Sequence, residues 1–325
     1  MGMTWNYSRL FKDIEIYFNS EKISKAQKKE LVNSVFIDKV QVSHYLLTKT
    51  RFRDRLRLPI IGLNYILNRP QNEDIGALIS NQFSAKAKSN KLNFERIIIE
   101  NNTKNIEVRD KKRDIALRTK NRSLFDKILP LYAEVVLLNQ YNATPEKIKG
   151  KVVVDAGSNI GEFAVYCARL GAKKVYAFEP VSETFKILQD QIKLNKVEDI
   201  VVPVKMGLGD KNEKLSISFE YFGDGAAKIG GNAPKSELIR LIRLDDFCKK
   251  ENIKEVGFIK MDIEGYEENA IMGAKNVIKR DKPALSFSAY HRPNDKKILP
   301  EVVLGIRPDY NIKLLRRAEE DFYCE

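Results

Sequence analysis

Cysteine is scarce in this chain of 325 residues, with Cys167, Cys248 and Cys324 the only three. Their wide spacing gives neither a zinc-binding pattern nor an obvious disulfide pair. A reducing, cytoplasmic location is the simplest account. Histidine is scarcer still, so His44 and His291 are the only candidates for an imidazole base titrating near neutrality. No apolar run approaches the length needed to span a bilayer. The amino end, MGMTWNYSRLFKDIEIYF, lacks a secretory apolar segment, and Asn6 stands where a myristoylation signal requires Ser or Thr. There is no internal repeat.

What is present is an ordinary globular composition, 43% hydrophobic, long enough for one large domain or two smaller ones. The net charge of +13 is unevenly placed. Residues 1–150 hold 28 Lys and Arg against 16 Asp and Glu, whereas residues 151–325 are almost balanced. Such a field attracts anionic partners: RNA, a membrane surface, or a phosphate-bearing carrier. Trp5, Leu10, Phe11, Ile14, Tyr17 and Phe18 recur at helical spacing, and Leu31 to His44 continues in that style. Arg51, Arg53, Arg55 and Arg57 alternate with other residues, which on a strand puts four guanidinium groups on one face and makes the best anion-binding candidate. Phe94 to Ile99 and Asn105 to Arg109 read as a hairpin, and Ser123 to Tyr141 as a helix. The chain therefore divides into a basic, mainly helical region at 1–121, of unassigned role, and an α/β domain at 122–325.

The most informative segment is KVVVDAGSNIGEFAVYCARLGAKKVYAFEP, residues 151–180. A β-branched run ends at Asp155, a turn carries Gly157, Ser158, Asn159 and Gly161, an apolar-faced helix stops at Gly171, and a second strand delivers Glu179 and Pro180 to the same edge. Open α/β sheets bind ligands at that edge. A dinucleotide turn needs G-x-G-x-x-G, but Asn159 stands where the middle glycine belongs. Asp155 would repel a pyrophosphate and suits a cationic ligand. S-adenosylmethionine, with an ammonium and a sulfonium and no phosphate, is the expected cofactor. Glu179, an acceptor-only carboxylate, suits both ribose hydroxyls.

Strands and helices then alternate, the pattern of a doubly wound, mostly parallel sheet. Ser182 is expected to cap a helix through Leu194, and Val201 to Lys205 forms the third strand. Gly207 to Gly209 is expected to turn at the ligand edge, with Gly207, Leu208 and neighbouring Met206 placed to pack against an adenine ring. Leu215 to Phe222 and Leu238 to Leu244 flank a glycine-rich stretch, Gly223 to Pro234. Lys260, Asp262 and Glu264, spaced by two, share a direction while their strand persists. Asp262 is positioned to touch the cofactor or an acceptor hydroxyl, and Lys260 beside two acids stays charged. Two acids are too few to assign a metal, so none is expected. His291 ends the strand Ala284 to Tyr290 at the site-bearing edge and is the candidate base for a hydroxyl acceptor. After a strand at Asn311 to Arg316, little length remains for another.

The blocks VVVDAGSNIGEFAVY through YAFEP, VPVKMGLGD, FIKMDIEGYEENAIMGA and SAYHRPND resemble, in this order, the FkbM-type family of S-adenosylmethionine-dependent methyltransferases. Asp155, Gly157, Asn159 and Gly161 match its D-x-G-x-N-x-G; Ala177 to Pro180 match A-F-E-P; Lys260, Asp262, Glu264 and Gly265 match K-x-D-x-E-G. The resemblance covers residues 122–325. It implies a seven-stranded, Rossmann-like class I methyltransferase sheet and O-methylation of a sugar hydroxyl in a glycan or glycolipid, or of a natural product. Tyr290, His291, Pro293 and Asp295 resemble an element of members linked to cell-surface polysaccharides. Asp155, the turn and Glu179 would then hold the cofactor, and His291, with Asp262 and Lys260 beside it, would handle the acceptor. Two other readings remain. One is an RNA cap or ribose methyltransferase that grips phosphates through its basic region. The other is a noncatalytic protein docking on a membrane or a partner, which would place it at the membrane periphery.

Overall fold

The computed structural model describes residues 97–102, 105–120, 128–219, 228–229, 235–317 and 319–325. The helices expected before residue 97, His44, the arginines at 51–57 and most of the glycine-rich stretch 223–234 lie outside the described residues.

Three antiparallel strands come first: β1 (Ile97–Asn102), β2 (Asn105–Asp110) and β3 (Ile115–Thr119). The expected hairpin is β1–β2, and β3 is an addition. The described end of the region read as mainly helical is thus a sheet, and β3 is hydrogen-bonded to the α/β domain through Gln191 and Asn195. Residue Ile128 opens a short helix, α1 (Ile128–Tyr132), which continues as a π-helical turn over Ala133–Leu137. After α2 (Pro145–Ile148), the central sheet begins with β4 (Val152–Ala156).

β4 is a continuous β-branched run because both its faces are covered, as in parallel sheets flanked by helices. Val153 packs with Phe163, Leu188 and Phe258 on one side, and Val154 with Phe178, Ile259 and Phe287 on the other. α3 (Glu162–Arg169), β5 (Lys174–Phe178), α4 (Ser182–Leu194) and β6 (Val201–Val204) come next. Ser182 is the first helical residue rather than the cap, and its hydroxyl bonds Glu237. A side sheet then forms from β7 (Gly207–Leu208), β8 (Glu213–Phe219), β9 (Lys228–Ile229) and β10 (Lys235–Ile242), in the order β7-β10-β8-β9.

The chain returns through α5 (Leu244–Lys250), β11 (Phe258–Met261), α6 (Glu267–Gly273), α7 (Lys275–Asp281), β12 (Ala284–Ser288), α8 (Asp295–Ile306), β13 (Ile312–Arg316) and β14 (Glu320–Cys324). The last strand does form after Arg316, contrary to the expectation from length: five residues insert between β12 and β13, antiparallel to both. The sheet order is β13-β14-β12-β11-β4-β5-β6, with β14 alone reversed. That is the strand order of a class I methyltransferase.

The free edge of β3 is closed by side chains. Asn195 accepts from the Ala116 N–H at 2.8 Å and donates to its carbonyl at 2.7 Å; four residues earlier Gln191 takes the Arg118 N–H at 2.8 Å and donates to its carbonyl. Two carboxamides one helical turn apart thus imitate a partner strand, and both are buried. Asn195→Leu leaves both Ala116 groups without partners and is expected to cost about 1–3 kcal/mol in urea denaturation, with faster amide exchange at Ala116. Unchanged stability and exchange would show that the imitation carries no weight.

Candidate active site

Parallel strands deliver their carboxyl ends to one edge, where the turns after β4, β5 and β11 meet. The β4–β11 register sets Lys260 opposite Asp155, both buried. The ammonium lies 3.2 Å from Asp155 Oδ1 and donates to the Gly157 carbonyl at 2.6 Å. Burial opposes the charge on Lys260, but Asp155, Asp262 and Glu162 outweigh it and raise its pKa. Lys260 is therefore a fixed cation under the turn, and it fails the requirements of a base.

The turn itself depends on three left-handed residues, Gly157, Asn159 and Gly161. Gly157 has φ +75°, and a Cβ there would lie 1.9 Å from the Asp262 carbonyl oxygen. Asn159 takes φ +46°, a conformation that asparagine tolerates. The amides of Gly157 and Ser158 both donate to the Phe178 carbonyl, Gly161 N–H donates to Ser158, and Asn159 N–H donates to Glu179 Oε2 at 3.1 Å. A pyrophosphate would need those donors, and they are already engaged.

Above the turn is a cavity of about 270 Å³ lined by Gly157, Asn159, Glu179, Pro180, Gly207, Leu208, Lys260 and Asp262, as expected from sequence. Asp155, Ser158 and Gly161 shape the turn from beneath and are not on the cavity wall. Leu208, Ile217, Phe219, Ile239 and Leu241 make an apolar wall fit for an adenine ring. Glu179 accepts from Val181 N–H at 2.9 Å and from Asn159 N–H, while burial pushes its carboxyl up to about 8, against those bonds and Lys260. Each oxygen keeps a lone pair for a ribose hydroxyl. Burial also pushes Glu162, another wall residue, up to about 7; its Oε2 has no partner. An orphaned carboxylate oxygen facing a cavity suits an ammonium group. Glu134, Glu264 and Glu319 line it as well, whereas Lys260 is the only lining cation among the described residues. The donor set thus fits S-adenosylmethionine and suits a phosphate poorly.

A second cluster adjoins the cavity. β11 ends at Met261, so Asp262 and Glu264 lie beyond the strand, yet both line the same cavity as Lys260. Glu264 turns through φ +56°. Tyr141 donates its hydroxyl to Asp262 Oδ2 at 2.5 Å. The His291 ring is only 5% exposed, its Nδ1 lies 2.9 Å from Glu267 Oε1, and its Nε2 lies 3.5 Å from Asp262 Oδ1 and 3.8 Å from Glu264 Oε1. Burial lowers the histidine's pKa, yet the Glu267 bond and the charges of Glu267, Asp262 and Glu264 prevail and raise it to about 9. Sequence reasoning missed Glu267, Tyr141 and Glu162. Glu267 and Glu162 stand inside the family-like blocks, but only the fold reveals their partners; Tyr141 carries no local signal.

Strand order and site together define a class I methyltransferase fold. Residues 155–314 match the methyltransferase FkbM domain, and the α/β domain of this chain belongs to that family. Methyltransferase 1 of Beauveria bassiana is 27% identical over 165 residues, 44% of this chain and 66% of that protein. Protein arginine N-methyltransferase 6 of Danio rerio is 35% identical over 82 residues, 24% of this chain and 23% of that protein. The matches thus span less than two thirds of these relatives. The crystal structure of methyltransferase FkbM from Methylobacillus flagellatus is similar at 18% identity and a TM-score of 0.46, over 97% of this chain and 65% of that one.

Lys260→Met leaves Asp155 as an unpaired buried charge and is expected to destabilise the fold by about 3–5 kcal/mol in chemical denaturation, partly recovered in the Asp155→Asn double variant. Because the acceptor form of Glu179 is the ionised one and its pKa lies near 8, ligand binding should release a proton below that pH. Affinity for S-adenosylhomocysteine is expected to rise from pH 6.5 to about 8 and then level off, with no such rise in Glu179→Gln; calorimetry at several pH values checks this.

Proposed function

We propose that this protein transfers the methyl group of S-adenosylmethionine to a hydroxyl, and that the acceptor is a sugar of a glycan or glycolipid. The observation that carries this reading is a cavity with two chemically distinct ends. A nucleoside end is lined by Glu179, the Gly157 turn and an apolar wall, and a hydroxyl end is lined by Asp262 and Glu264, with His291 behind the cavity wall 3.5 and 3.8 Å from these two acids. Bound there, the cofactor supplies an electrophilic methyl. The chain's own residues place the acceptor oxygen in line with it, Asp262 being fixed by Tyr141 and His291 by Glu267. Holding oxygen and methyl at attack distance can supply about 7–11 kcal/mol of the barrier, so modest help with the proton suffices.

The wealth of carboxylates around the cavity favours a neutral acceptor over a phosphate-bearing one. This weighs against the RNA reading, which needs cations near the transfer point. A polysaccharide or glycolipid touching the membrane surface remains compatible with the basic residues before 122. Among the described residues no helix is long and apolar enough to cross a membrane.

The test is transfer of labelled methyl from S-adenosylmethionine to pools of neutral polysaccharide, glycolipid and RNA. Base-stable label on sugar is the expected result, with His291→Ala lowering turnover about 100-fold while S-adenosylhomocysteine binding is kept. Label on RNA would establish the second reading. Bound cofactor product with no transfer to any pool would establish a binding protein.

A further inference from the structure

We propose that Asp262, Glu264 and His291 bind one divalent cation of the Mg²⁺ or Mn²⁺ class at the acceptor end of the cavity. Asp262 and Glu264 alone are two acids on one loop; the fold adds the imidazole of a residue 27 positions beyond Glu264. One donor atom from each of the three lies within 4.8 Å of the others. Cation–ligand bonds of about 2.1 Å put neighbouring donors about 3 Å apart and opposite ones about 4 Å apart, a range that the 3.5 and 3.8 Å separations at Nε2 meet.

The geometry at His291 points the same way. Its ring is almost wholly buried, and Nε2 has no hydrogen-bond partner. A protonated Nε2 bonded to a carboxylate would sit at about 2.7–2.9 Å, yet it stands off from two carboxylates by nearly equal gaps. Nδ1 is engaged by Glu267, which also accepts from the Ile263 N–H at 2.9 Å, and this fixes the tautomer that presents the Nε2 lone pair to the two acids. A histidine ligand with its second nitrogen held by a carboxylate is the usual outer support of a metal site. Tyr141 likewise holds the second oxygen of Asp262 and leaves Oδ1 toward the histidine. With the ring neutral, as metal binding requires, Nε2 turns its lone pair toward Asp262 and Glu264.

This inference deepens the proposed function and rests on it only for the cation's role, since binding needs no acceptor. A cation here would take the acceptor oxygen as a further ligand and lower its pKa. The hydroxyl then loses its proton to water, its oxygen pair forms the new C–O bond, and the C–S pair passes to sulfur, turning sulfonium into thioether.

The test uses the full, tag-free chain after chelator treatment, titrated with Mn²⁺ and followed by electron paramagnetic resonance. Saturable uptake of a single Mn²⁺ is expected, at least about tenfold weaker in Glu264→Gln and about 10- to 100-fold weaker in Glu267→Gln. Spin-echo modulation from a coordinated nitrogen should be present in the wild type and lost in His291→Gln. S-adenosylhomocysteine binding by each variant certifies its folding. Absence of saturable uptake by the wild type, or uptake indifferent to these substitutions, overturns the proposal. Methyl transfer by the chelated protein would overturn the cation's role in the reaction, whereas Mn²⁺ binding without transfer to any acceptor would overturn only the proposed function.

Discussion

The ammonium of Lys260 is buried against Asp155, and its remaining protons reach the carbonyls of Gly157 and Ala156. This one contact ties the end of β11 to the end of β4 and fixes the turn on which the cavity stands. Neither charge is stable alone in that place, because desolvation of an ion costs several kcal/mol. Paired, they let the turn be built with its own amides satisfied internally, so that Asn159 and Gly157 are free to take left-handed angles. The Asp262 carbonyl sits so close to Gly157 that a methyl group on that residue has no room. Cofactor turn and acceptor loop are thus one packed unit.

The site inverts the charge of the chain. A protein with a net charge of +13 concentrates carboxylates around this cavity, and the single cation lining it among the described residues is held in a buried pair. That contrast favours a cationic nucleoside over a phosphorylated one. It also explains the raised pKa values of Glu162 and Glu179: each is an acid held out of water beside other acids, and a ligand bringing an ammonium or hydroxyls relieves both.

Much of the fold was legible because local chemistry and tertiary fold agree from Lys151 to Ser288. β-Branched runs became buried parallel strands, and glycine and asparagine marked the turn. The same sequence logic misjudged β14, since five residues suffice for a strand when both neighbours are already in place. β3 escaped notice because the edge it turns away from β2 is covered by the side chains of Gln191 and Asn195, more than seventy residues away. In the site, Glu179, Gly157 and Asp262 were legible from motif spacing. Asp155 was read as a ligand carboxylate, but its register opposite Lys260 sends it beneath the turn. The Glu267–His291 bond joins residues 24 apart through packing of a helix start against a strand end, and no periodicity encodes that.

The central claim is a nucleoside site that accepts a cation and rejects a pyrophosphate. Side-by-side calorimetric titration of the protein with S-adenosylhomocysteine and with NAD tests it most directly, with Glu179→Ala as control. The account predicts binding of the first, abolished in the variant, and no measurable binding of the second; equal or tighter binding of NAD would contradict it.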